Sequence, residues 1–115
     1  MTKPETESAP PEAFDVGLRL LARREHSRAE LALKLAQRGI EQTEIERALD
    51  RLQAMDALNE ERFAEQYMRM RLRQGYGPAR IRADLAARGV DTATAEAELA
   101  GAEGDDAHWL ARAEA

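Results

Sequence analysis

The 115-residue chain predicts an all-α fold made of tandem three-helix, helix-turn-helix-like repeats. Three observations carry that expectation. The stretch HSRAELALKLAQRGIEQTEIERAL recurs fifty positions later as YGPARIRADLAARGVDTATAEAEL, so that Leu31 matches Ile81, Leu35 matches Leu85, and Arg38, Gly39 and Ile40 match Arg88, Gly89 and Val90. An internal period of that size marks helical blocks that bury their apolar sides by stacking. Charged residues make up 34% of the chain and aromatics only 4%, which suits helices with wide solvated faces and a thin apolar stripe. Glycines and capping residues then punctuate both copies at helix-length intervals.

Residues 1–11 hold three prolines and no hydrophobic periodicity, and they read as a disordered tail. The first repeat spans 12–57. Its first helix begins at Pro11 and runs to about Arg24, with Phe14, Leu18 and Leu21 at i, i+4 and i+7. Ser27 and Glu30 form an S-x-x-E capping box, in which hydroxyl and carboxylate satisfy each other's backbone amides at a helix start. Leu31 and Leu35 face inward, and Gly39 closes the helix. Thr43 and Glu46 repeat the box at the head of a third helix carrying Ile45, Leu49 and Leu52.

The second repeat spans 58–101. Asn59 reads as the N-cap of a helix with Phe63, Tyr67 and Met70 on its apolar side, ending at Gly75. Pro78 suits the first position of the next helix, where its fixed φ helps and its missing N–H is not needed. Ile81 and Leu85 face inward, Gly89 ends that helix, and Thr92 caps a short last one around Leu99. Gly101 and Gly104 bracket a break, after which residues 105–115 read as the first helix of an incomplete third repeat anchored by Trp109.

The inventory of reactive groups is poor, so no catalytic site, metal or cofactor is expected. There is no cysteine, which excludes disulfides, thiolate metal sites and thiol nucleophiles. His26 and His108 share no ligand spacing and read as ordinary surface or helix-end residues. Ser8 lies in the tail, Ser27 is explained as a cap, and the glycines form no phosphate-binding motif. Apart from glycine no apolar run exceeds three residues, and the N-terminus is acidic and proline-bearing; a cytoplasmic monomer with no membrane contact is the expectation.

The net charge of −5 hides alternating blocks. Residues 18–38 and 61–90 each carry a net +4, while the stretches before, between and after them are acidic. On the fourth helix Arg62, Arg69 and Arg73 share one stripe at i, i+7 and i+11 with Arg71 beside it, and Arg80 and Arg82 follow the Gly-Tyr-Gly-Pro loop. Glu65 stands four residues before Arg69, but Arg71 and Arg73 have no acid at i−3 or i−4, so they gain nothing locally. That favours a face that meets an acidic protein surface, nucleic acid or both. Tyr76 reads equally well as an exposed interface anchor or as a ring packed over the next helix start. Arg19, Arg23, Arg24, Arg28, Lys34 and Arg38 form a weaker second patch.

Three strings, LLARREHSRAELALKL from Leu20, LNEERFAEQY from Leu58 and GYGPARIRADLAARGV from Gly75, resemble the RecX regulatory proteins of bacteria. The resemblance covers roughly residues 14–111. It implies an elongated, curved array of three-helix units that docks in the groove of the RecA recombinase filament on single-stranded DNA. Such proteins usually inhibit RecA ATP hydrolysis, coprotease function and strand exchange, restraining recombination and the SOS response. Family members typically carry a third complete repeat. The rival expectation is a direct DNA-binding helix-turn-helix module, whose recognition helix is then the segment from Ile45 to Leu52 or from Ala95 to Leu99.

Overall fold

The computed structural model describes residues 10–105, and among them it has six helices and no strand. These are α1 (Pro10–Arg23), α2 (Arg28–Gln37), α3 (Gln42–Ala54), α4 (Glu60–Arg73), α5 (Pro78–Ala87) and α6 (Thr92–Asp105). Two compact units of three helices meet between Asn59 and Glu60. Each helix of the second unit starts fifty residues after its counterpart, Glu60 after Pro10, Pro78 after Arg28 and Thr92 after Gln42. The sequence period is therefore a structural period.

Local chemistry explains where the helices stop. After α2, Gly39 adopts φ 83°, its N–H donates to Ala36 O at 2.9 Å, and the Ile40 N–H reaches back to Leu35 O at 3.4 Å, the paired bonds of a Schellman turn. Gly89 and Val90 repeat those bonds after α5, as do Gly75 and Tyr76 after α4. The fourth such turn, after α3, places Asp56 at φ 63°, with Asp56 N–H on Gln53 O and Ala57 N–H on Leu52 O. No glycine signals it. A short polar side chain tolerates this backbone better than most residues, and Asp56 Oδ1 also accepts from Asn59 Nδ2 at 2.9 Å.

The helix starts bring two corrections. The Ser27–Glu30 capping box is present, with Glu30 N–H on Ser27 Oγ at 3.1 Å and Ser27 N–H on Glu30 Oε1 at 3.2 Å. The box expected from Thr43 and Glu46 does not form: α3 begins two residues earlier, Glu41 takes the N-cap position, and Glu46 turns outward to Gln42 and Arg28. Likewise Thr92 is the first residue of α6, not its cap. Asp91 accepts the Thr94 N–H at 2.8 Å instead, and those bonds hold its carboxyl below the usual range.

Each unit has its own core. In the first, Leu31, Leu35, Ile45, Leu49, Leu52 and Leu58 are at most 1% exposed, a burial worth roughly 1.5–3 kcal/mol per side chain. In α1 the buried face is Ala13, Val16 and Gly17, whereas Phe14 and Leu21 are half-buried and Leu18 is exposed. The stripe of large residues is thus not the docking face. Small residues let α1 approach α3 closely: a Cβ on Gly17 would lie 2.8 Å from Leu52 Cδ1.

In the second unit Phe63, Ala64, Tyr67, Met68 and Leu72 of α4 pack with Ile81, Leu85, Val90, Ala95, Leu99 and Ala102. Met70, expected inside, is exposed, and Met68 takes its place. The last helix does not break near Gly101 but continues to Asp105. Two glycines in a helix cost roughly 1 kcal/mol each relative to alanine, and burial of Ala102 against the core favours carrying the helix on. Pro10 and Pro11 are helical and not part of a tail; residues 1–9, and the proposed third-repeat helix with Trp109 and His108 from 106 onward, lie outside the described residues.

Candidate partner-binding site

The second unit gathers three of the seven sequence-predicted residues into one cluster on α4, α5 and the loop between them. Tyr76 is half-buried against the core, with its ring between two guanidinium groups: Arg71 at 4.7 Å and Arg80 at 4.5 Å from the centroid. Arg71 also faces the Tyr67 ring at 5.1 Å, and Arg88 covers that ring at 4.6 Å. The result is an alternating row, Arg80, Tyr76, Arg71, Tyr67, Arg88. Tyr76 is thus half-buried on the core, with the guanidinium groups of Arg71 and Arg80 against its ring.

Asp84 holds the row together. Its Oδ2 accepts the Tyr67 hydroxyl at 3.2 Å and lies 4.0 Å from Arg71 Nε, while Oδ1 lies 3.7 Å from Arg80 Nε. The Tyr67 oxygen accepts in turn from Arg71 Nε at 3.0 Å, and Arg71 Nη1 donates to Gln74 at 2.8 Å. The tyrosine hydrogen bond raises the Arg71 pKa further above its ordinary value, so the guanidinium stays charged. Arg88 Nη1 donates to the Asp84 carbonyl at 3.1 Å. Two guanidiniums, those of Arg71 and Arg80, share this one carboxylate, which leaves a surplus of positive charge on side chains held by stacking and pairing.

The expectation that Arg71 lacks a partner is corrected here: the search of its own helix missed Asp84, thirteen positions on and across the loop. Two of the other predicted arginines pair with acids elsewhere in the unit. Arg69 pairs with Glu65 at 3.4 Å, as its i, i+4 spacing suggested, and Arg82 reaches across to Glu96 of α6 at 2.5 Å. Arg62 is half-buried and Arg73 exposed at the last turn of α4. Sequence reasoning missed Tyr67 as a polar participant, Asp84 and Arg88. The i, i+4 pair Arg80–Asp84 was a readable signal, and Arg88 could have been found as the repeat partner of Arg38.

Glu98 of α6 has its pKa raised by burial and then by repulsion from Glu65 and Glu61.

In the first unit half of the weaker basic patch, Arg24, Arg28 and Lys34, is engaged internally. Arg28 bridges to Glu46 at 2.8 Å, to Asp50 at 3.0 Å and to Gln53. Lys34 Nζ lies 3.0 Å from His26 Nε2, and Arg24 lies 3.8 Å from Glu30. His26 is not a surface residue: it is 1% exposed, and its Nδ1 sits 3.0 Å from the Arg24 carbonyl. Donation from the lysine to Nε2 and from Nδ1 to the carbonyl requires a neutral ring, and burial lowers its pKa in the same sense. Among the described residues no group of three His, Asp or Glu could hold a metal ion, and no helix is long and apolar enough to cross a membrane.

Comparison with known proteins meets this geometry unit by unit. Residues 13–52 match the family model for the first three-helix domain of RecX, and residues 59–99 match that for its second. The chain is 50% identical to the regulatory protein RecX of Pseudomonas entomophila over 95 residues, which covers 83% of this chain and 59% of that one. It is 46% identical to the regulatory protein RecX of Halorhodospira halophila over 101 residues, covering 88% and 61%. The crystal structure of RecX from Lactobacillus salivarius superposes with a TM-score of 0.81 at 22% identity, covering 93% of this chain and 68% of that one. A second RecX crystal structure gives 0.82 at 18% identity, covering 95% and 54%. The chain spans about half to three fifths of the length of the curated relatives it matches. With the same three-helix unit occurring twice and both RecX domain models satisfied in order, the chain belongs to the RecX family.

Proposed function

We propose that this chain binds the RecA recombinase filament on single-stranded DNA and holds down its ATP hydrolysis, coprotease function and strand exchange, restraining recombination and the SOS response without a reaction of its own. One observation carries the site assignment: the stacked row of Arg71, Tyr76 and Arg80 around Asp84. Two physical properties support it. The row presents surplus positive charge, which steers association with an acidic surface. Its side chains are already ordered by stacking and pairing, so little rotamer entropy remains to be lost on contact.

The helix-turn-helix alternative lacks the side chains it needs. Reading bases requires free arginine, asparagine or glutamine on the recognition helix. On α3, Arg47 pairs with Glu44 at 3.7 Å and Arg51 lies 4.1 Å over the Phe14 ring, while α6 carries no arginine at all. Co-sedimentation with RecA filaments on single-stranded DNA, repeated across a salt series beside a gel shift on bare duplex, tests the proposal. Binding to filaments that weakens as salt rises, with no shift of the duplex, is the expected result. Salt-independent binding removes the electrostatic part, and sequence-specific duplex binding without RecA overturns the reading.

A further inference from the structure

Among the described cations of the first unit, three are left over once ion pairs, hydrogen bonds and ring contacts are assigned. The guanidinium groups of Arg19, Arg23 and Arg38 make no hydrogen bond, ion pair or ring contact with anything in the described structure. All three are exposed, and all three line one open groove of about 390 Å³, together with Val16, Leu20 and Ala22. The arginine-flanked floor is apolar: Val16 is 5% exposed and Leu20 half-buried.

Arginines near helix C-termini are stabilised by the helix dipole, by typically 0.3–1 kcal/mol. That accounts for Arg23 in the last turn of α1 and for Arg38 at the C-cap of α2. It does not account for Arg19, a full turn earlier, nor for the convergence of all three on one concavity. Convergent like charges repel one another and, with no carboxylate between them, await one from outside.

We propose that this groove is a docking site for an acidic segment of a partner protein that inserts an apolar side chain between flanking aspartates or glutamates. The floor matches the apolar side chain and the rim matches the carboxylates. A nucleic-acid backbone fits less well. Phosphates would use the rim and leave Val16 and Leu20 unmatched, and the volume, at the low end of the roughly 300–1,000 Å³ typical of ligand sites, holds a few side chains but not a strand. The inference rests on the reading that the partner is a protein, and does not depend on RecA being that protein.

The test is a titration of the isotope-labelled full chain, followed by backbone amide NMR, with the peptide Glu-Asp-Leu-Leu-Asp-Glu. Amides of α1 and of the turn after α2 should shift and saturate. Affinity should fall about tenfold in the double variant Arg19→Glu, Arg38→Glu, because two rim charges change sign at exposed positions. Circular dichroism confirms that this variant is folded, and the single variant Arg23→Gln gives a second reading of the same rim. Unshifted groove amides, undiminished binding by the charge-reversed variant, or equal binding of a peptide with glycines in place of the leucines overturns the proposal. So does a deoxythymidine oligonucleotide that shifts the groove amides where the peptide does not. Filament binding can stand while this titration fails, or fail while it succeeds, so the two readings fall separately.

Discussion

The Tyr67 hydroxyl donates to Asp84 Oδ2 at 3.2 Å, joining α4 to α5 by a bond between two side chains that also touch Arg71. Tyr67 is 8% exposed and part of the core, so one residue both packs the unit and aligns its cationic row. Tyr67→Phe should therefore keep the fold, costing about 1 kcal/mol for the lost bond. Combined with Asp84→Ala, the two losses should be less than additive by about 0.5–1 kcal/mol, because each removes the same bond. Urea denaturation of the two single variants and the double variant measures this; strict additivity would show that the bond couples nothing.

Ser27→Ala should lower the stability of the first unit by about 1 kcal/mol, since the serine is fully buried and both halves of its capping box are formed. Thr43→Ala, at a position where the box is absent, should change stability by only a few tenths of a kcal/mol. Hydrogen exchange at the first amides of α2 and α3 distinguishes the two sites.

His26 predicts a pH dependence. Its folded pKa is lowered from 6.5, above all by burial, so the unfolded chain takes up a proton more readily than the folded one. Its contribution to stability is complete above pH 6.5 and is lost as pH falls from there through the lower folded value. Acidification from about pH 7.5 to about pH 5.5 should destabilise the first unit, and a His26→Gln variant should show a flatter profile over the same window. Thermal melts followed through the α2 amides provide the measurement.

Gly17 should not accept a side chain. Alanine there gains about 1 kcal/mol of helix propensity but meets Leu52, itself fully buried, at 2.8 Å, and overpacking of this kind costs about 1–3 kcal/mol. Gly17→Ala should be mildly destabilising and Gly17→Val clearly worse. Shortening the opposing side chain with Leu52→Val should relieve part of the Gly17→Val penalty, which a double-mutant cycle reads directly.

Much of the architecture could be read from the chain because it rests on local chemistry. Ser27 with Glu30 announces a helix start, Gly39 and Gly89 announce stops, and Leu31, Leu35, Ile81 and Leu85 keep helical spacing in both copies and are all fully buried. What escaped was set by tertiary contact. The Asp56 turn needs no glycine, α6 passes through Gly101 because Ala102 has a core to enter, and α1 docks through Ala13 and Gly17, whose small size rather than hydrophobicity is what matters. The cationic face shows the same division. Arg69 with Glu65 follows a local rule, but Arg71 with Asp84, and Arg82 with Glu96 fourteen positions on, exist only once helices pack.

The central claim is that the row on the second unit, and not positive charge in general, engages RecA. RecA ATP hydrolysis on single-stranded DNA, measured with the chain and with two double variants, tests it most directly. Arg71→Gln with Tyr76→Ala breaks the row and removes one positive charge, whereas Arg69→Gln with Arg82→Gln removes two at residues paired with Glu65 and Glu96. The account predicts that inhibition falls about tenfold or more with the first pair and changes by less than about threefold with the second, as expected for an interface centred on a few anchored side chains. Equal losses from both pairs, or undiminished inhibition by the first, would contradict it.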